Sequence, residues 1–225
     1  MSKKYQIIYA DRIILDLCGG TGAWSRLYKE AGYDVRNITL PDYDVRTYSP
    51  PPTVYGILAA PPCTEFSRAR QKNRYMTEAP KRNLRAGMEI VNQCLRIITE
   101  TNTTFWALEN PVGLLRRFLW EPDFTFQPWQ YGDPWTKHTD LWGIFNIPPI
   151  IYHSREDCLL NLGMPVRDFL RAQGISPSIR PNKILPSKAD LDKTTFKYVG
   201  MKEERSAFRA ITPAGFARAF FEVNK

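Results

Sequence analysis

Arg12-Ile13-Ile14-Leu15-Asp16-Leu17-Cys18-Gly19-Gly20-Thr21-Gly22-Ala23-Trp24-Ser25 is a β-branched apolar run, then a glycine-rich turn, then the opening of a helix. A strand that feeds through glycines into a helix lets backbone N–H groups approach an anionic or polar ligand closely. A plain strand-to-helix corner has the same ingredients, so the segment argues for a fold class before it argues for a ligand.

Two further segments follow what read as strands. Pro61-Pro62-Cys63 comes after Tyr55 to Ala60, and Glu109-Asn110-Pro111 comes after Thr104 to Leu108. Strands alternating with helices give an α/β fold with a parallel, doubly wound sheet, whose active residues lie at the carboxyl ends of the strands. Gly19, Cys63 and Glu109 all fall at such ends, so the sheet gathers them although they are distant in the chain. Together they describe a reaction. A cysteine thiolate attacks C6 of a pyrimidine, a carboxylic acid protonates N3, and C5 becomes nucleophilic enough to take a methyl group. Taken singly, the cysteine reads as a small buried hydrophobe and Glu-Asn-Pro as a turn.

The order of glycine turn, Pro-Pro-Cys and Glu-Asn-Pro resembles the DNA cytosine-C5 methyltransferase family, in which these are the cofactor, nucleophile and acid motifs. Tyr131-Gly132-Asp133-Pro134-Trp135-Thr136-Lys137-His138-Thr139 is similar to the family segment ending in Gln-x-Arg-x-Arg. Arg209-Ala210-Ile211-Thr212-Pro213 with Ala217-Arg218 is similar to its Arg-x-x-Thr-Pro…Ala-Arg segment. The resemblance covers residues 12 to 143 and 205 to 225. It implies a Rossmann-like methyltransferase sheet, S-adenosylmethionine as cofactor, and a DNA substrate whose target base leaves the stack, with RNA as an alternative.

It also implies residue roles. Cys63 is the covalent nucleophile and Glu109 the N3 proton donor, with Asn110-Pro111 as the turn that positions it. Asp16, Cys18, Gly19, Gly20, Thr21, Gly22, Trp24, Asp44 and Pro61 fall to the cofactor. Pro62, Ser67, Arg68, Arg70, Asn110, Pro111, Lys137 and Thr139 fall to the substrate. Several positions depart from the family. Cys18 stands where Phe is usual, Ala23 where the last Gly is usual, and Thr39 where an acidic residue holds the ribose hydroxyls, with Asp42 close by. Lys137 and Thr139 stand at the two arginine positions that steady the cytosine, and a lysine keeps charge without a bidentate fork.

A chain of 225 residues buries one sizeable core, so one domain with an insertion is expected. Cys18, Cys63, Cys94 and Cys158 are widely spaced and the histidines are His138 and His153, which argues against a zinc cluster and a disulfide framework and for a reduced thiol at Cys63. No apolar run is long enough to span a bilayer and Met1-Ser2-Lys3-Lys4-Tyr5 lacks an apolar secretion signal, so a soluble, cytoplasmic monomer is expected, with no membrane partner.

The formal net charge is +8, and its placement matters more than its size. Arg68, Arg70, Lys72, Arg74, Lys81, Arg82 and Arg85 face Glu78 alone between Phe66 and Ala86, directly after the proposed nucleophile. A charge run is ordinarily a solvated face, but beside a cysteine proposed to attack a nucleobase it suits a polyanion.

A helix is expected from Ala23 to Ala31, a second strand from Val35 to Leu40, and a helix carrying Leu84, Met88, Val91, Leu95 and Ile98 with Cys94 in the core. Residues 1–143 and 205–225 form the expected catalytic domain. Residues 144–204, rich in proline, read as a small inserted subdomain, where Arg180, Lys183 and Lys188 offer donors for target recognition; a cap over the sheet explains the same composition. Three alternatives stay open: RNA as substrate, a different one-carbon group delivered to C5, and a nucleic-acid-binding protein of the same fold without turnover.

Overall fold

The computed structural model describes residue 9, residues 11–68, residue 78, residues 81–162 and residues 211–225. Arg70, Lys72 and Arg74 of the basic loop, Arg209, and Arg180, Lys183 and Lys188 of the inserted segment lie outside the described residues.

Among the described residues, six strands form one mixed sheet. They are β1 (Ile13–Leu17), β2 (Asp34–Ile38), β3 (Thr53–Ala59), β4 (Asn102–Pro111), β5 (Phe124–Phe126) and β6 (Thr139–Ile144), in the order β2-β1-β3-β4-β6-β5. The first four are parallel, and the order reverses at β1, whose neighbours are β2 on one side and β3 on the other. The all-parallel sheet expected from the sequence is corrected at its far side. There β6 runs antiparallel to both β4 and β5. Parallel neighbours need a long crossover, usually a helix. Beyond Pro111 the only helices before β6 are single turns of 3-10 helix, at Leu114–Arg117 and Pro128–Tyr131, on either side of the short β5.

The reversal matters for the site. An antiparallel strand starts at the edge where its neighbour finishes, so the approach to β6 lies beside the carboxyl end of β4. Pro111 pairs with Thr139, Asn110 with Asp140 and Glu109 with Leu141.

Four α-helices are described: α1 (Arg26–Glu30), α2 (Leu84–Glu100), α3 (Arg155–Asn161) and α4 (Ala214–Val223). Alternation along the strands divides the core between two faces. Leu15, Ile57, Leu108 and Trp142 point to one face, against Val91, Cys94, Ile97 and Ile98 of α2. Ile14, Leu58, Ala107 and Leu141 point to the other, against Tyr28 of α1 and Phe216 and Phe220 of α4. Both faces are therefore helix-covered, and Cys94 is a core residue as its position in the apolar stripe indicated. The Asn83 side chain caps α2 by accepting from the Ala86 N–H at 3.0 Å.

Local boundaries shift. Helix α1 starts at Arg26 because residues 21–25 continue the turn, and β2 ends at Ile38, leaving Thr39 and Leu40 outside it. Strand β4 runs through Asn110 and Pro111, which corrects their reading as a turn: pairing to β6 keeps them extended. Of residues 144–204, the described part is 144–162, with α3 begun by a Ser154 cap that accepts from the Asp157 N–H. No helix among the described residues is long and apolar enough to cross a membrane.

Candidate active site

Leu17 of β1 is level with Ala59 of β3, and Ala59 with Leu108 of β4. The glycine turn and the Pro-Pro-Cys segment therefore leave the sheet at one edge, beside Glu109, which stays within the paired end of β4.

The turn is tightly wound. Cys18, Gly20 and Gly22 have φ of 56°, 55° and 70°, in the left-handed region. For the non-glycine Cys18 this conformation costs roughly 1 kcal/mol, and its N–H is anchored on the Ile38 carbonyl at 2.9 Å. Gly19 is required by contact, since a Cβ there would lie 2.2 Å from the Asp16 Cγ. Asp16 is fully buried and accepts a short hydrogen bond from the Ser25 hydroxyl. Burial raises its pKa to about 6, the Ser25 bond opposing the rise. Asp16 thus braces the turn from beneath. Trp24 is also below it, 2% exposed and packed edge-on to Phe220 at 5.4 Å, so its ring belongs to the core rather than to the surface of the turn. Thr21 is half-buried.

Asn37 of β2 reaches across to this turn, its Nδ2 donating to the Gly20 carbonyl at 3.0 Å. Its Oδ1 is buried and makes no hydrogen bond among the described residues. The sequence motifs single out neither Asn37 nor the Ser25 hydroxyl; the available signal for Asn37 is a polar residue at alternate spacing within β2. Asp44 is engaged by its neighbour: both carboxylate oxygens accept from the Arg46 guanidinium, and one accepts from the Arg46 N–H at 2.9 Å. These bonds hold its carboxyl below the usual range.

Cys63 opens a compact turn. Its carbonyl accepts from the Phe66 N–H at 3.0 Å and the Ser67 N–H at 2.8 Å, while its side chain stays half-buried. Ser67 bridges to Gly113, and the Leu114 N–H donates to the Phe66 carbonyl at 2.9 Å. Arg82 closes the far side, donating to the carbonyls of Glu65 and Ser67. This role differs from the phosphate contact that its place in the basic run suggested. Arg68 and Pro62 are exposed, whereas Pro61 is buried.

The two proposed catalytic segments are joined by Asn110. Its Nδ2 donates to the Pro61 carbonyl at 2.9 Å, from a side chain with no exposure. Glu109 is 9% exposed, and its Oε1 accepts from the Lys137 Nζ at 3.1 Å. Lys137 is held by its own backbone, its N–H on Gln127 Oε1 and its carbonyl accepting from the Thr139 hydroxyl. Thr139 is 1% exposed, so its hydroxyl fixes the Lys137 turn from inside. Pro111, at the end of β4, continues the paired strand. A carboxyl group with a cation on one oxygen, beside a turn carrying a thiol, can hold a planar base and exchange a proton with it.

The two loosely matching distal segments also meet. The Gly215 N–H of α4 donates to Asp133 Oδ2 at 2.9 Å, and Arg218 is exposed on that helix. Compared with known proteins, the chain matches no family model and no curated protein.

Proposed function

We propose that this protein is an S-adenosylmethionine-dependent methyltransferase acting on C5 of cytosine in DNA. The observation that supports the reading most directly is the hydrogen bond from Asn110 to the Pro61 carbonyl, which fastens the segment carrying Cys63 to the strand carrying Glu109. In this reading the Cys63 thiolate forms a bond to C6 of the extruded base while Glu109 supplies a proton to N3. Lys137 keeps the Glu109 carboxyl oriented; once C5 carries the methyl group, its proton is lost to water, the C5–C6 double bond re-forms as the C6–S electrons return to sulfur, and N3 gives its proton back to Glu109.

The glycine turn fits the cofactor, in a Rossmann-like sheet whose strand order reverses at β1. A Cβ at Gly20 would meet no heavy atom within 4 Å, and the buried Asn37 Oδ1 stands beside the turn as an acceptor with no protein donor among the described residues. Gly19 to Gly22 and Asn37 would hold it, with Asp44 for the adenine amino group. When bound, it supplies an electrophilic methyl group. Residues 144–204 are assigned to target recognition.

The test is mass spectrometry of nucleosides after incubation with DNA or RNA and the methyl donor. 5-Methylcytosine in DNA is the expected product. The same product in RNA alone, or another C5 substituent, would select the corresponding alternative, and no modified nucleoside in either would remove the enzymatic reading.

A further inference from the structure

Resting on that reading, we propose that Phe118 and Arg117 form a nucleic-acid contact beside the nucleophile turn: the Phe118 ring stacks on a base flanking the target, and Arg117 pairs with the adjoining phosphate. The segment is built onto the Cys63 turn. Leu114 takes the Phe66 carbonyl, Leu115 is buried in the core beneath, and the Phe118 ring packs edge-on to Phe66 with centroids 6.2 Å apart. Phe66 is itself fully buried and donates its N–H to the Cys63 carbonyl. Phe118 therefore packs directly on a buried residue of the nucleophile's own turn.

Phe118 nevertheless remains 46% exposed. An aromatic surface left in water is unfavourable, and every base offers a face to cover it. The adjoining charges select the occupant. Arg116 is committed to Asp140 through two hydrogen bonds, whereas Arg117 is exposed and makes no ion pair among the described residues. The next exposed aromatic, Trp120, is excluded. It packs on Trp106, directs its Nε1 toward Asp123 and is followed by Glu121, carboxylates that repel a phosphate. A strand crossing this surface thus meets its cation and its stacking face at Arg117 and Phe118.

Fluorescence anisotropy with a labelled DNA duplex carrying a mismatched cytosine, titrated over a range of salt, tests the contact. F118A and F118L should each bind about 5- to 150-fold more weakly, and F118W should recover most of the affinity. R117Q should make the log-log salt dependence shallower by about one. Methyl-donor affinity should be unchanged in all four, which shows that the fold survives. F118L binding as tightly as the wild type, since leucine keeps apolar packing but has no stacking face, overturns the proposal, as does an unchanged slope in R117Q. Failure of the wild type to bind DNA or RNA overturns the proposed function and this contact with it.

Discussion

A carboxylate as deeply buried as Asp16, with the neutral Ser25 hydroxyl on one oxygen, is disfavoured in its charged form. Its folded pKa of about 6 lies above the ordinary value of 3.8, so between these limits the folded state takes up a proton that the unfolded chain does not. This group therefore destabilises the fold at neutral pH, and the penalty is relieved as pH falls from about 6 toward 4, by at most about 3 kcal/mol. Urea unfolding of the wild type and D16N at several pH values measures it. The stability of the wild type relative to D16N should rise as pH is lowered from 7 to 4; a constant difference would show that Asp16 does not titrate in that window.

At the scale of elements, the site consists of two turns fixed by close approach to glycines. A Cβ at Gly19 would strike the Asp16 carboxyl, and one at Gly113 would lie 2.4 Å from the Phe66 carbonyl oxygen. The two substitutions should separate the halves of the site. G19A is expected to weaken methyl-donor binding at least about tenfold by displacing the turn proposed to hold the cofactor. G113A moves the Cys63 turn and should slow turnover by roughly 10²-fold with donor affinity intact. Isothermal titration and single-turnover rates distinguish them, and equal effects of both variants on donor affinity would merge the two turns into one unit.

These elements differ in how far the sequence disclosed them. The strand-glycine-helix run and the helical stripe around Cys94 were legible because burial imposes a period of two or of 3.6 on neighbouring residues. The extension of β4 through Asn110 and Pro111 was hidden, because Asn-Pro is turn chemistry in isolation and becomes strand only when β6 pairs with it. Lys137 was legible as a charged position in the segment from Tyr131 to Thr139. Its ion pair with Glu109 was not, since it depends on an antiparallel neighbour that local pattern cannot specify. Asn37 and Ser25 act through contacts made by the turn's own curvature, which composition does not encode.

Across the whole molecule, the sheet edge that carries the candidate site depends on helices packed at a distance from it. Phe216 of α4 is fully buried and stacks on Phe126 of β5 with centroids 3.8 Å apart, while Gly215 is tied to Asp133. F216A should lower unfolding stability by about 3–5 kcal/mol through the lost burial and the cavity. Chemical denaturation checks this, and a loss below about 1 kcal/mol would show that α4 is not an integral layer of the core.

The proposed covalent catalysis at Cys63 joins all three scales, because it would need the thiol, the turn that presents it and the sheet whose β4 carries Glu109. The most direct measurement is intact-protein mass spectrometry after incubation with the methyl donor and DNA containing 5-fluorocytosine, whose C5 fluorine cannot leave as a proton. A stable protein–DNA adduct is expected, with peptide mapping placing it on Cys63; C63S should form none and E109Q should form it far more slowly. Methylation of ordinary DNA by C63S at the wild-type rate, or an adduct that maps to another residue, would contradict the account.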